Sequence, residues 1–305
     1  MIKHSFPKIM AIGTKQVIDI FEDEIEITEK LDGSQFAFGK IDGELCARSK
    51  GAQLNIYNPM DLFVPAVTYV RSIERLIPDN MIYYGEAFKR PKHNTLCYDR
   101  VPLHNIALFG IYNVAMDEFE SQYNAIKMVA NTFCVDAVPL LYKGKMTAHT
   151  AIEVIKDFLT RTSYLGGALI EGVVIKNYSR QTNIANDIYT PFMSGKYVSE
   201  AFKEVHRGRW KDEETKGGKF EKFCEGFRTP ARWEKALIHL KERCELTDSL
   251  KDIGALIPEV IADIELEEKQ YIMESLYSFY RKDIMSTAVK GLPEWYKNKL
   301  LEGCE

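Results

Sequence analysis

The sequence has little that would place the protein in a membrane or in an oxidising compartment. No apolar run approaches the ~18 residues of a membrane span, and the opening MIKHSFPKIM lacks the apolar core of a signal peptide. The six cysteines are scattered, without a C-x-x-C pair. They predict reduced thiols rather than a disulfide framework or a zinc site. We therefore expect a cytoplasmic protein that does not engage a membrane.

The chain also lacks a strong charge of either sign. Its net charge is −4 over 305 residues, which argues against a passive nucleic-acid coat. It has no internal repeat or low-complexity block, and its histidines show no metal-ligand spacing. Two local basic clusters remain, at 88–100 (FKRPKHNTLCYDR) and 203–211 (KEVHRGRWK). Such clusters are most often solvated surface, with contact to a polyanion as the alternative.

The hydrophobic pattern changes near residue 205. Before it, segments rich in β-branched and aromatic residues alternate with segments of helical period. After it the helical period dominates, and Thr229-Pro230 is typical of a helix start. The sequence therefore predicts three regions: an α+β domain over 1–205, a linker over 206–220 and an all-helical domain over 221–305. Most aromatic residues after residue 220 are expected in a core.

The stretch EKLDGSQF (29–36) is the first candidate for chemistry. Lys30 ends a predicted strand, EIEITEK, and Asp32 and Gly33 follow it before the next strand, QFAFGKI. A lysine at this place is either an ordinary surface cation beside a turn or a nucleophile. K-x-D-G alone recurs by chance, so the remaining candidates in the chain must decide.

Further candidates occupy strand-like segments in the first 205 residues. In chain order the segments are ARSKG with Arg48 and Lys50, YYGEAF with Glu86, ALFGI with Phe109, LIEGVVIK with Glu171, Val174 and Lys176, and SGKYVSEAF with Lys196. Several have an ordinary alternative, since an aromatic or valine in an apolar strand is often core and a strand-end lysine often faces water. A buried carboxylate such as Glu86 or Glu171 is costly without a partner, which favours a site.

In this order the segments resemble the nucleotidyl motifs I, Ia, III, IIIa, IV and V of the covalent nucleotidyltransferases: DNA ligases, RNA ligases and mRNA-capping guanylyltransferases. The resemblance covers about residues 25–205. It implies an N-terminal adenylyltransferase domain of nucleotidyltransferase fold, ATP-grasp-like, with antiparallel sheets flanked by helices, followed by an all-helical domain. The chain is most similar to the RNA ligase 2 type. Gln35 stands where those enzymes carry an amide and DNA ligases an arginine, and helical segments replace the OB-fold.

The resemblance implies a catalytic role for three lysines. Lys30 would attack the α-phosphate of ATP and carry AMP as a lysyl-adenylate. Lys176 and Lys196 would lower the pKa of Lys30 and neutralise charge on the phosphates. Glu171 and Glu86 would hold Mg²⁺, or Mn²⁺ in its place, with Glu86 also reaching the ribose.

The remaining candidates would bind the nucleotide and the RNA end. They are Glu29 beside the nucleophile, Arg48 at the ribose or the 5′-phosphate, Phe109 and Val174 on the two faces of adenine, and Gln35 and Lys50 at the 5′-phosphate. Asp32 would shape the turn. Motif V departs from the family, since Val198 stands where RNA ligase 2 has a second lysine. The stretch 88–100 has no counterpart, and we interpret it as a substrate loop.

The leading hypothesis is an ATP-dependent RNA ligase, monomeric, that joins 3′-hydroxyl and 5′-phosphate ends of RNA, with a nicked duplex or an RNA/DNA hybrid as possible substrates. The helical domain, with Arg207 and Arg209 nearby, would contact the substrate phosphates. A DNA ligase and a capping guanylyltransferase are the alternatives within the superfamily. A non-catalytic nucleic-acid-binding relative is the alternative outside it.

Overall fold

A computed structural model describes residues 1–120, 122–185, 188–199, 216–247 and 249–302. The chain forms two compact units, Met1–Thr247 and Asp248–Glu305. This division differs from the predicted boundary near residue 205. Residues 206–215 of the predicted linker lie outside the described residues. Arg207 and Arg209 of the second basic cluster are among them. Within the described ranges, no helix combines the length and the apolarity that a membrane crossing requires.

The first sheet carries the strand that ends at Lys30. Its five strands lie in the order β1 (Met10–Ala11), β14 (Met193–Val198), β11 (Gly172–Asn177), β2 (Ile25–Lys30) and β10 (Leu140–Gly144). The pairing of β1 with β14 is parallel, and the other pairs are antiparallel. The central strands β2, β11 and β14 therefore come from distant parts of the chain.

The second sheet follows directly from the first through the turn after Lys30. Its main path is β5 (Gln53–Leu54), β4 (Glu44–Ser49), β3 (Ser34–Ile41), β6 (Met81–Ala87), β7 (Ile106–Asn113) and β8 (Glu118–Glu120), with β9 (Asp136–Ala137) beside β7. The β3–β4 hairpin turns at Asp42-Gly43, where both residues have positive φ values of 54° and 77°. A separate ribbon pairs β12 (Asn183–Ala185) with β13 (Ile188–Tyr189).

Each sheet buries one apolar face against helices. The second sheet packs on α1 (Val64–Ser72) and α2 (Tyr123–Thr132), and the first on α3 (Ala148–Phe158). On β2, Ile25 and Ile27 join Ile155 and Phe158 of α3 in the core. Because side chains alternate along a strand, Glu26, Thr28 and Lys30 point to the opposite face. That face of the first sheet carries the polar residues.

Two helices after residue 215 belong to the first unit. They are α4 (Lys216–Glu225) and α5 (Pro230–Glu242). The helix start predicted at Thr229 is confirmed, because the Thr229 hydroxyl accepts a hydrogen bond from the backbone of Arg232 at 3.2 Å. Both helices were expected in the helical domain. Helical period indicates a helix but not the unit on which it packs.

The second unit consists of helices among its described residues. A 3-10 turn (Leu250–Asp252) leads into α6 (Ile253–Glu267), α7 (Lys269–Ala288) and α8 (Leu292–Glu302). Ser249 and Asp252 form a capping box at its start. The expectation that most aromatic residues after residue 220 lie in a core is wrong, because Trp233, Tyr277 and Trp295 are each at least half exposed.

Candidate active site

A pocket of about 400 Å³ lies where β2 ends and β3 begins. Of the eleven residues predicted to serve in catalysis, metal binding or nucleotide binding, six line it: Lys30, Gln35, Lys50, Glu86, Glu171 and Lys196. The other five, Glu29, Arg48, Phe109, Val174 and Lys176, lie outside its lining. The structure thus brings the predicted nucleophile, both predicted metal-binding carboxylates and two further lysines to one place.

Strand pairing places Glu171 beside the amine of Lys30. Gly172 is the register partner of Lys30, and Glu171 directly precedes it. The amine donates to both carboxylate oxygens of Glu171, at 2.6 and 2.8 Å. Burial lowers the pKa of Lys30, but the charge and hydrogen bonds of Glu171 outweigh burial, so this pKa lies above its usual value. Lys30 is therefore a paired ammonium in this structure.

The charges that act on Lys30 differ from those predicted. After Glu171, the next contributions to its pKa come from the carboxylates of Asp32 and Glu86, which also raise it. The amine of Lys176, four residues beyond Gly172 on β11, lies outside the pocket lining. The pKa of Lys30 is therefore raised in this structure, whereas the sequence predicted that Lys176 and Lys196 would lower it, because the carboxylates of Glu171, Asp32 and Glu86 act on the amine.

Glu86 lies on β6, opposite Gln35 of β3. Burial raises the pKa of the Glu86 carboxyl to about 8, although the charge of Lys30 opposes the rise. The carboxylates of Glu242 and Glu171 add to it. Glu86 is therefore a buried carboxyl with further carboxylates near it, a setting in which a divalent cation would stabilise the ionised form.

The turn after Lys30 is held by the carboxylate of Asp32. Asp32 Oδ2 accepts from the backbone N–H groups of Thr95 and Leu96, at 2.7 and 2.6 Å. Its own N–H donates to the hydroxyl of Tyr98 at 3.0 Å. Burial and the charge of Glu171 raise the pKa of Asp32 to about 6, against the effect of these hydrogen bonds. The predicted role of Asp32 in shaping the turn fits these contacts.

The same loop holds the next two residues of the turn. The amide of Asn94 donates to the carbonyl of Gly33 at 2.9 Å. His93 Nδ1 accepts from the N–H of Lys89 at 2.9 Å, so Nε2 carries the hydrogen and donates to Ser34 Oγ at 3.0 Å. Burial lowers the pKa of His93 to about 4, which keeps the ring neutral. The stretch interpreted as a substrate loop thus clamps the turn, and Asn94 also lines the pocket.

One wall of the pocket comes from α5. Glu234, Ile238 and Glu242 line it at helical spacing, together with His239. Glu242 is 8% exposed, and burial raises its pKa, while a hydrogen bond from Ser34 and the charge of Lys50 oppose the rise. Sequence reasoning gave α5 no part in this pocket.

The family model for RNA ligases matches residues 23–192, more than half of the chain. The chain belongs to the RNA ligase family. The match runs from β2 to β13 and includes Lys30, Glu86 and Glu171, whereas β1 and β14 of the first sheet lie outside it. The resemblance drawn from the order of the motifs is thereby confirmed at the level of the family.

Solved structures of the RNA ligase of Naegleria gruberi are similar at low identity. The form with pyrophosphate gives a TM-score of 0.49 at 19% identity, covering 65% of this chain and 57% of that one. A variant with ATP and manganese gives 0.48 at 17%, with the same coverage. This chain therefore spans less than two thirds of the length of that ligase. No curated protein matches the chain in sequence.

In this RNA ligase family member, the predicted nucleotide ligand Arg48 and the predicted catalytic residue Lys176 bind neighbouring backbone instead of lining the pocket. Arg48 donates from Nε, Nη1 and Nη2 to the carbonyls of Ser49, Ile2 and Lys50. Lys176 is 2% exposed and donates to the carbonyl of Phe109 at 2.8 Å. That bond joins the polar face of the first sheet to the second sheet.

Glu29 faces away from the pocket. Its carboxylate accepts from the hydroxyl of Ser163 and from the N–H of Tyr164, the latter at 3.2 Å, and the residue is 3% exposed. The prediction that the Glu29 side chain binds the cofactor does not fit this geometry, because neighbours in a strand point to opposite faces. By contrast, Val174 shares the face of Lys30 and is half-buried opposite Lys196.

Motif V places one lysine in the pocket. Val198 occupies the position of the missing second lysine. It pairs with Gly172, which on its other side pairs with Lys30, so the three residues lie side by side on neighbouring strands. Lys50, from the end of the β3–β4 hairpin, lines the same pocket. A further lysine therefore reaches the pocket from the residue that follows β4, in the second sheet.

Proposed function

We propose that this protein is an ATP-dependent RNA ligase of the RNA ligase 2 type, with Lys30 as the nucleophile. The observation that carries the proposal is the Lys30 amine at a pocket shared with Glu86, Glu171 and Lys196, in a chain of the RNA ligase family. The described residues from 216 onward contain helices and no strand. This supports the RNA ligase 2 type over the DNA ligases and capping enzymes that carry an OB-fold.

The first step needs Lys30 as a free amine. In the fold its proton is held by Glu171, whose two oxygens both accept from it. Glu171 must therefore be neutralised or turned away before Lys30 can attack. Deprotonated, the Nζ atom forms a bond to the α-phosphorus of ATP, the bond from that phosphorus to the bridging oxygen breaks, and pyrophosphate leaves with the electron pair.

Glu171 and Glu86 are the residues that would hold a divalent cation, Mg²⁺ or Mn²⁺. Among the described residues, no three His, Cys, Asp or Glu side chains form a complete metal site. Two carboxylates completed by phosphate oxygens and water is the usual magnesium arrangement, so the donor set fits. When bound, the cation supplies positive charge that offsets these carboxylates and the ATP phosphates. Glu171 would then release the Lys30 proton more readily.

Two lysines would neutralise the phosphates. Lys196 and Lys50 line the pocket of Lys30, and we propose that Lys50 supplies the charge that motif V lacks. An ammonium near the leaving pyrophosphate stabilises charge that develops in the transition state. Phe109 and Val174 would stack on adenine, and Lys176 and Arg48 would bind the nucleotide beside them. Gln35, at the pocket edge, would orient the 5′-phosphate.

Two further transfers complete the reaction. The 5′-phosphate of the RNA would attack the phosphorus of the lysyl-adenylate, which frees Lys30 and leaves AMP on the RNA end. The 3′-hydroxyl of the second end would then attack the 5′-phosphorus and release AMP, forming the phosphodiester. We propose RNA as substrate, in a nicked duplex or hybrid, and a monomeric enzyme of RNA repair. The five described cysteines are free thiols, which suits a cytoplasmic protein.

The lysyl-adenylate is tested with α-³²P-labelled ATP, and separately GTP, on a denaturing gel after treatment with pyrophosphate to strip AMP already bound. We expect labelling with ATP only and none in Lys30→Ala. Lys40→Ala is the matched control, because Lys40 lies on β3 and its amine contacts the Glu74 carbonyl instead of the pocket. Labelling with GTP would place the protein with the capping enzymes. Labelling that survives Lys30→Ala, or absence of labelling in the wild type, would overturn the proposal.

A further inference from the structure

Residues 2–6, here called segment 2–6, form neither helix nor strand yet are tightly held on the second sheet. Ile2 is 1% exposed and packs in a cluster with Tyr84 and Tyr112. The hydroxyl of Tyr84 donates to the carbonyl of His4 at 2.9 Å. The rings of His4 and Tyr112 lie 4.5 Å apart. Segment 2–6 is therefore a fixed part of this sheet face.

Segment 2–6 orients the guanidinium of Arg48. Arg48 Nη1 donates to the Ile2 carbonyl at 3.3 Å, while Nε and Nη2 donate to carbonyls of its own hairpin. The amide of Gln53 donates to the same Ile2 carbonyl at 2.6 Å. The hydrogen bond from Gln53 holds the Ile2 carbonyl in place. The carbonyl in turn fixes the orientation of the planar Arg48 guanidinium that donates to it.

Phe6 contacts two further site candidates that lie outside the pocket, Phe109 and Lys176. Its ring meets Phe109 edge-on, with centroids 4.8 Å apart and planes at 83°. The amine of Lys176 lies 5.9 Å above the centre of the Phe6 ring. The same amine donates to the Phe109 carbonyl at 2.8 Å. Phe6, Phe109 and Lys176 thus form a closed set of contacts, and loss of the Phe6 ring would remove one contact from each of the other two.

We propose that segment 2–6 is the positioning element for the nucleoside part of ATP, with Phe6 setting the ring of Phe109 and the amine of Lys176, and the Ile2 carbonyl setting Arg48. This rests on the proposed function, which assigns these three residues to the nucleotide. They lie outside the pocket lining of Lys30, so something must align them with it. Phe6 acts through its neighbours and touches no reacting atom.

The test separates the nucleoside from the phosphates. With Phe6→Ala, we expect the KM for ATP in Lys30 adenylation to rise about tenfold, with the maximal rate within about twofold of the wild type. In the reverse reaction, where pyrophosphate removes AMP from Lys30, the KM for pyrophosphate should stay unchanged because pyrophosphate has no base. Phe6→Tyr keeps the ring and should restore the KM for ATP.

Phe119→Ala is the matched control. The Phe119 ring packs against Phe6, Tyr84 and Tyr112 in the same cluster. It should lower the melting temperature about as much as Phe6→Ala and leave the KM for ATP unchanged. If Phe6→Ala fails to fold, Phe6→Leu replaces it, since leucine keeps apolar bulk and loses the ring.

Several outcomes overturn the proposal. One is an unchanged KM for ATP in folded Phe6→Ala, and another is an equal rise in Phe119→Ala. A parallel rise in the KM for pyrophosphate would show a general effect, and a fall in the KM for ATP would show that segment 2–6 covers the nucleotide site instead of aligning it. If ATP labels no Lys30 even in the wild type, the proposed function fails and the positioning role falls with it. A labelled wild type with an unchanged KM in Phe6→Ala removes the positioning role alone.

Discussion

Glu86 should give the protein a measurable dependence of stability on pH. Burial raises its pKa from the usual 4.5 to about 8; Lys30 opposes the rise, and neighbouring carboxylates such as Glu242 add to it. The unfolded chain ionises near pH 4.5, whereas the folded chain keeps the acid neutral up to about pH 8. This contribution to stability is therefore complete below the unfolded pKa and is lost as the pH rises through the folded one.

The size of the loss follows from the pKa values. Each pKa unit corresponds to about 1.4 kcal/mol, so the change from 4.5 to about 8 corresponds to at most about 5 kcal/mol. Relaxation of the neighbouring carboxylates and entry of water reduce this limit. We expect the free energy of unfolding to fall by about 2 to 4 kcal/mol between about pH 5 and pH 9 because of Glu86.

Glu86→Gln isolates this effect, because glutamine keeps the shape of the neutral acid and cannot ionise. Urea unfolding of the wild type and the variant is compared at several pH values in the absence of nucleotide. The variant should become the more stable of the two as the pH rises, by the amount given above. Glu118→Gln, on an exposed edge strand, is the control, and its difference from the wild type should stay flat. A flat difference for Glu86→Gln as well, or a fall with pH, would refute the reasoning.

Three other substitutions test the surroundings of Lys30. Asn94→Ala removes the donor to the carbonyls of Asp32 and Gly33. We expect the free energy of unfolding in urea to fall by about 1 to 3 kcal/mol and Lys30 adenylation at saturating ATP to become slower. Asn94→Asp should not restore either property, because a carboxylate cannot donate these hydrogen bonds. Gly33→Ala would place Cβ 2.6 Å from the Phe88 ring, so we expect the free energy of unfolding to fall by about 1 to 3 kcal/mol. Adding Phe88→Leu in a double variant should recover part of this loss. Glu171→Gln removes the charge that raises the pKa of Lys30, so burial should then lower it, and an amine-specific reagent should modify Lys30 faster at neutral pH than in the wild type. Equal or slower modification would contradict that assignment.

The strands around Lys30 were predictable because their patterns are local. The alternation in EIEITEK and QFAFGKI corresponds to β2 and β3, and the turn between them contains Gly33. The start of α5 at Thr229 was also readable, since an N-cap is decided within one turn. The packing of α5 beside the pocket was not readable, because helical period says nothing about which distant surface a helix covers.

The residues of the site that belong to family motifs were predictable from the sequence. The direction in which each side chain points, and the contacts from distant loops, were less predictable. Lys30, Glu86 and Glu171 lie together as expected. That Glu29 points away from the pocket could have been inferred, since it precedes Lys30 in a strand and side chains alternate. The contact of Asn94 with the turn could not have been inferred. Asn94 and Gly33 are about sixty residues apart in the chain, and no repeating sequence pattern links them.

The hydrophobic core decides which of Glu29 and Lys30 faces the pocket. Ile25 and Ile27 pack against α3 together with Val173 and Ile175 of the neighbouring strand. A register slip of one residue in β2 would turn Ile25 and Ile27 away from this core and Lys30 toward the helix, with Glu29 in its place. Burial of the two isoleucines makes that slip costly. The position of the proposed nucleophile is thus fixed mainly by apolar residues on the opposite face of its own strand, and the pairing of Gly172 with Lys30 then brings Glu171 alongside it.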